Sequence, residues 1–287
     1  MLPARPFLRS ALLALSALCL APLADARGAH AQGKLDARYT ASLAGIPLGK
    51  GAWVIDIAED QYTAAASGMT TGVLRVFSSG QGTGASRGTI AGEKLVAASY
   101  GATLTADKKT EEVRITLSGG VVKEFIVVPP APPNPNLIPV TEAHRRSVTD
   151  PMTGSLMRVP GNGELLAPEA CQRNVSVFDG RMRYDLQMSY KRMDKVKAEK
   201  GYEGPVVVCA VYFAPIAGYV PDRAAMKYLI AQREMELWLA PVTGTRVLVP
   251  FRFSVPTPLG LGVLQATQFN SVAHQPPKAA PASAKTQ

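Results

Sequence analysis

The sequence predicts a mainly β fold built on an antiparallel sheet, and three observations carry that prediction. Apolar and polar residues alternate with a period of two through much of the chain. Glycine and proline turn signals recur about every 8 to 12 residues, the rhythm of a strand meander. No long amphipathic helical segment interrupts that rhythm. With 47% hydrophobic and 18% charged residues among 287, the chain can bury a sizeable core.

In chain order, the first element is not part of the sheet. "MLPARPFLRSALLALSALCLAPLADARGAHAQGK" carries Arg5 and Arg9 ahead of an apolar run from Ala11 to Leu23 that Pro22 breaks. That run is shorter than the about 20 apolar residues of a membrane span. Ala29 and Ala31 form an A-x-A site before Gln32, and Ala24 and Ala26 form another. Residues 1–31 are therefore expected to be a cleaved secretory signal, cut after Ala31 or after Ala26. Leu18, ahead of Cys19, is not the small residue a lipoprotein signal needs.

Residues 32–273 are expected to form a single β-rich domain. "DARYTASLAG" puts Ala37, Tyr39, Ala41 and Leu43 on one face, and "AWVIDIAED" groups Trp53, Ile55 and Ile57. "QYTAAASGMT", "GVLRVFSSG", "SRGTIAG", "EKLVAASYGA", "EEVRITLSG" and "VVKEFIVV" continue the series. The glycines of "SSGQGTGASRG", residues 78–88, read as turns between strands. They lack the G-K-[ST] and the following helix of a phosphate loop.

"PPAPPNPNLIP", residues 129–139, cannot continue a central strand because proline has no N–H to donate, so it reads as a stiff, extended crossing. In the next segment Thr149 or Asp150 is expected to cap a short helix with Pro151 in its first turn. Strands then resume. Asp179-Gly180 signals a hairpin turn, and beyond it Tyr184, Leu186, Met188 and Tyr190 share one face. "PVVVCAVYFAP" reads as a buried strand carrying Cys209. "PDRAAMKYLIAQR" reads as a helix capped by Asp222, with Met226, Leu229, Ile230 and Arg233 along one face. "EMELWLAP", "TRVLVPFRFSV" and "LGVLQATQFNSV" complete the strands, and residues 274–287 read as a disordered tail.

The chemistry available is sparse. Removing the signal leaves Cys171 and Cys209, and an even pair in an exported chain is most simply a disulfide, with two buried thiols as the alternative. No C-x-x-C, H-x-x-x-H or H-E-x-x-H spacing offers a zinc site, so neither a metal nor a cofactor is expected. "EAHRRSVTDP" gathers Glu142, His144, Arg145, Arg146, Ser147 and Asp150, which suit a solvated linker better than an acid-base site. The formal net charge is +9, but the basic residues are scattered among acids, which argues against a nucleic-acid partner.

Taken in order, "YTASLAGIPLGKGAWVIDI", "YTAAASGMTTGVLRVF", "VTDPMTGSL", "FDGRMRYDL" and "ELWLAP…PFRFSV…LGLGVLQATQF" resemble the bacterial exported family known as domain of unknown function 3108. The resemblance runs from about Tyr39 to Val272. It implies a curved antiparallel sheet, a half-barrel or open barrel with one or two short helices packed on it, and a periplasmic location. It supplies no catalytic residues. The Tyr184, Leu186, Met188 and Tyr190 stripe suits a packed core and, in a half-barrel, also the wall of an acyl-chain cavity. The expected function is a non-enzymatic binding or carrier module for an apolar envelope ligand, a lipid or a lipoprotein acyl chain. The alternative is a structural or accessory protein making peripheral envelope contacts, and a hydrolase using His144 is disfavoured.

Overall fold

The computed structural model describes residues 32–71 and 80–274. The signal segment, most of the strand expected over 72–80 and the tail past His274 lie outside the described residues. The first half is a meander of seven strands: β1 (Gly33–Leu43), β2 (Ile46–Ile57), β3 (Gln61–Thr70), β4 (Gly80–Ala91), β5 (Lys94–Ala106), β6 (Lys109–Ser118) and β7 (Val121–Val128). The second half adds β8 (Met157–Arg158), β9 (Arg173–Phe178), β10 (Arg183–Lys197), β11 (Lys200–Gly201) and β12 (Glu203–Ala217), followed by helix α1 (Ala224–Ala231). It ends with β13 (Met235–Pro241), β14 (Val247–Thr257) and β15 (Gly260–Ala273).

All of the strands join one sheet in the order β7-β6-β5-β4-β3-β2-β1-β15-β14-β13-β12-β10-β9, with β8 on β14 and β11 on β15. The last strand thus returns to pair with the first, Ala37 facing Phe269 and Ala41 facing Leu264. The pairing is antiparallel except for β11. The sheet also curls until its two edges meet through a strip of chain. Val148 N–H donates to Gly120 O, Thr149 N–H to Ser176 O, and Phe178 N–H to Thr149 O, each at 2.9 Å. Phe125 of β7 and Phe178 of β9 meet edge to face at 5.3 Å. The result is the open barrel expected from the sequence, with residues 148–149 in its seam.

The period-two patterning fills this curve. Leu35, Ile55, Ile57 and Tyr62 pack against Val206, Val208, Phe251 and Phe269 in one cluster. Val207, Cys209, Val211, Met235 and Leu239 pack with Met157 and Cys171 in a second. Alternate residues of β12 belong to different clusters, so both faces of that strand are buried. This accounts for the unbroken apolar run in "PVVVCAVYFAP".

Several expectations change. The glycines of 80–88 lie within β4 and not in a turn, because the alternation reaches through them. At Gly88 a Cβ would collide with Val96 O and come within 2.7 Å of the Tyr62 hydroxyl, so the strand bulges there around the tyrosine. Asp150 does not start an α-helix. A single 3-10 turn, Thr153–Ser155, follows it instead. Asp222 does not cap α1, whose N-cap is Arg223, but pairs with Lys227 at 2.8 Å. No residue of α1 is buried. The Asp179-Gly180 hairpin uses a four-residue turn, with Asp179 Oδ1 accepting the N–H groups of Arg181 and Met182. The proline-rich crossing is pinned at Ile138, whose N–H donates to Tyr219 O and whose carbonyl accepts from Gly218 N–H.

Candidate binding cavity

Along β2 and β3 the residues on one face lose bulk in the same direction, while β1 keeps Tyr39 between Ala37 and Ala41. Ile57, Ile55 and Trp53 give way to Gly51 and Gly49; Tyr62 and Ala64 to Ala66 and Gly68. The registers Ala41↔Gly49 and Gly51↔Gly68 place the small residues side by side. Opposite them stand Leu186 and Met188 of β10, Val211 of β12, Leu237 of β13 and Phe253 of β14, while Leu264 of β15 flanks Ala41. Between these walls lies a cavity of about 640 Å³. Lys50 is the single charged residue in its lining, and no acid lines it.

A buried polar node seats the turn that contributes Gly154 and Ser155 to the wall. Asp150 Oδ1 accepts the N–H groups of Met152 and Thr153, each at 2.9 Å. Its Oδ2 accepts the hydroxyls of Thr153 at 2.5 Å and Ser86 at 3.1 Å. Tyr62 completes the node, its hydroxyl 2.6 Å from Thr153 Oγ1. Burial pushes the Asp150 carboxyl above the usual carboxylate range, against the opposing pull of these hydrogen bonds. Burial likewise lifts the Tyr62 hydroxyl to about 12. The node ties the turn to β3 and β4. Elsewhere in the wall, Tyr39 donates to Pro250 O at 2.7 Å. The Trp53 indole N–H is buried with no partner among the described residues.

Cys171 and Cys209 form a disulfide, with Cα atoms 5.4 Å apart and both residues fully buried. It fastens the segment that runs from the turn through β8 onto β12. The stripe on β10 divides. Leu186 and Met188 line the cavity. Tyr184 instead packs on Phe213 at 5.4 Å, and Tyr190 is exposed beside the register shift between Tyr190 and Arg192. The register shifts at Arg183/Tyr184 and Tyr190/Arg192 lie outside the continuous pairing of Tyr184 to Tyr190, in whose middle the cavity-lining Leu186 and Met188 stand.

The "EAHRRSVTDP" residues do not assemble. His144 Nδ1 accepts from Thr141 N–H at 3.2 Å, Arg145 lies over the Phe125 ring, and Asp150 turns inward to its own node. Among the described residues no group of three or more His, Cys, Asp or Glu could hold a metal. No helix among them is long and apolar enough to cross a membrane. Sequence reasoning missed Tyr39, Trp53 and Gly68 as wall residues. The signal for Trp53 and Gly68 was the shrinking side chains of "GIPLGKGAW" and "AAASG", which have meaning only once the strands are paired.

A family model described as "Protein of unknown function (DUF3108)" matches residues 38–267. No curated protein matches the chain. Among solved structures, the crystal structure of a beta-barrel-like protein of domain of unknown function DUF1849 from Brucella abortus is similar over 86% of this chain and 99% of that one. The two share 9% identity, with a TM-score of 0.43.

Proposed function

The chain belongs to the DUF3108 family of proteins of unknown function, and from its geometry we propose that it is an exported, periplasmic module that binds an apolar, chain-like ligand such as a lipid acyl chain. The cavity carries this reading. Its about 640 Å³ falls within the roughly 300–1,000 Å³ typical of small-ligand sites, and its wall is built almost wholly from aliphatic, aromatic and glycine residues. Glycine and alanine on one side and Met188 with Leu186 on the other make a surface that accepts hydrocarbon without demanding a fixed polar geometry. The Cys171–Cys209 disulfide supports export, since such bonds persist in oxidising compartments.

The test is direct. Protein purified from the envelope of its own cells is extracted and its lipids identified by mass spectrometry, and the stripped protein is titrated with the fluorescent fatty acid cis-parinaric acid. A stoichiometric lipid and saturable uptake are expected. Met188→Asp, which sets a charge in the apolar wall, is expected to abolish uptake. Protein that carries no lipid and takes up no fatty acid while folded would sink the reading.

A further inference from the structure

The stretches from Ala41 to Gly49 and from Phe253 to Ala273 carry no charge at all. They contain the β1–β2 and β14–β15 turns, which the fold sets side by side. Ala44 N–H donates to Leu261 O at 2.9 Å. Gly260, at φ 117°, lies so close that a Cβ would come within 2.8 Å of the Ala44 side chain. The paired turns therefore form one braced tip. Leu259 is 76% exposed on it and Ile46 54%, with Leu261 also exposed. A contiguous exposed apolar patch of this kind marks an interaction surface.

Two further features say what it meets. Met69 and Leu264 are both exposed and part of the cavity wall, and Leu264 lies only three residues past Leu261 of the tip, so apolar residues lead from the tip toward the cavity. On the other face of the same strands stand Arg38 and Lys50, both exposed, and neither has a carboxylate partner among the described residues. Apolar side chains at the turns with exposed cations farther along the same strands, Lys50 four residues past Ile46 and Arg38 six before Ala44, have the order of an anionic bilayer, hydrocarbon beneath phosphate.

We propose that this tip docks the protein on an anionic lipid bilayer, with Leu259 and Ile46 entering the interface and Lys50 and Arg38 facing the phosphates. The proposal rests on the cavity reading and gives the cavity its route. An acyl chain leaving the bilayer reaches Met69 and Leu264 without crossing water.

The experiment follows co-sedimentation of the full chain with vesicles of phosphatidylethanolamine and phosphatidylglycerol, and with phosphatidylcholine alone. Uptake of cis-parinaric acid is measured separately without vesicles. Binding to the anionic vesicles that weakens with salt is expected. Leu259→Asp and Ile46→Asp should each weaken it at least about tenfold, since one large apolar side chain no longer enters the interface. Lys50→Glu should weaken it more than about fivefold. Leu259→Asp, and the milder Leu259→Ser, should leave melting temperature and fatty-acid uptake unchanged. Wild-type protein that ignores anionic vesicles, or Leu259→Asp protein that binds them as well as wild type, would overturn the proposal. So would a dimer without vesicles that Leu259→Asp dissociates, since the tip would then join two copies of the chain. Vesicle binding without any fatty-acid uptake would instead sink the cavity reading and leave the docking surface standing.

Discussion

Gly68 lies opposite Gly51 in the cavity wall, and a Cβ built on it meets nothing closer than Lys50 O at 3.6 Å. It follows Ala64 and Ala66 on one face of β3, so a larger side chain there points into the same space. Gly68→Leu should fill the cavity, abolish uptake of cis-parinaric acid and leave the melting temperature unchanged or raised, because a strand glycine is replaced by buried apolar surface. Calorimetry beside the fluorescence titration checks it. Uptake that survives in a normally folded Gly68→Leu protein would place the ligand elsewhere. Met188 and Leu186 were legible because alternation on one strand suffices to group them. Tyr184 and Tyr190 share that alternation, yet they stand at the two ends of the stretch, where Tyr184 meets Phe213 and Tyr190 is exposed, and alternation does not say how far along a strand a cavity reaches. Gly68 and Gly51 were illegible for another reason. Each is an unremarked small residue until the register sets one against the other, and register is a property of two strands.

Strands were easier to read than the short helical pieces, since a strand 10 to 15 residues long repeats its pattern several times and a single turn does not. In "TDPMTGSL" the capping signal was real, because Asp150 does accept two N–H groups as an N-cap would. No helix grows from it because Thr153 and Gly154 are themselves buried and committed to the node and to Val175 and Val177. Pairing among β10, β12, β13 and β14 also builds a charged ladder that no linear pattern shows. Glu236 accepts from Arg192 at 2.8 and 3.1 Å, from Lys191 at 2.8 Å and from Trp238 Nε1 at 2.9 Å. Arg192 and Arg252 each lie 5.2 Å from the Trp238 ring. The Arg192 hydrogen bonds above all hold the Glu236 carboxyl down at about 2. A carboxyl depressed in the folded state contributes stability above its unfolded value near 4.5, and that contribution is lost as pH falls from there toward about 2. With the ladder partly exposed to solvent, the loss should be roughly 1 kcal/mol. Denaturant melts of wild type and Glu236→Gln through that acid range should show the extra decline in wild type alone.

For the molecule as a whole, the β1–β15 ladder joins the first strand meander to the second half, and the decisive contact is the one that brings the two edges of the sheet together. Between β7 and β9 the sheet has no direct ladder, and Val148 and Thr149 supply the bridging hydrogen bonds at the seam. The next residue, Asp150, is fixed by the node on β3 and β4, so one buried carboxylate holds both the closure of the barrel and the turn in the cavity wall. Asp150→Ala would strip acceptors from two N–H groups and two hydroxyls at once. Even with relaxation the cost should be about 2 to 4 kcal/mol, each buried donor left short contributing on the order of 1 kcal/mol or more. In Asp150→Ala, amide exchange at Val148, Thr149 and Phe178 should speed up before that of the Val206 to Val211 core strand, and fatty-acid uptake should weaken with it. The pH dependence runs opposite to that of Glu236. Burial raises the native Asp150 carboxyl, so the folded state keeps a proton that the unfolded chain releases near pH 3.9. Its contribution to stability is therefore full below that pH and declines as pH rises through the native value. Asp150→Asn keeps an oxygen for the Met152 and Thr153 N–H groups and removes the titration, so its stability should stay flat over the range in which wild type declines. If the Asp150→Ala seam amides remain as protected as in wild type, then packing of Phe125 on Phe178 closes the barrel and the carboxylate serves the cavity wall alone.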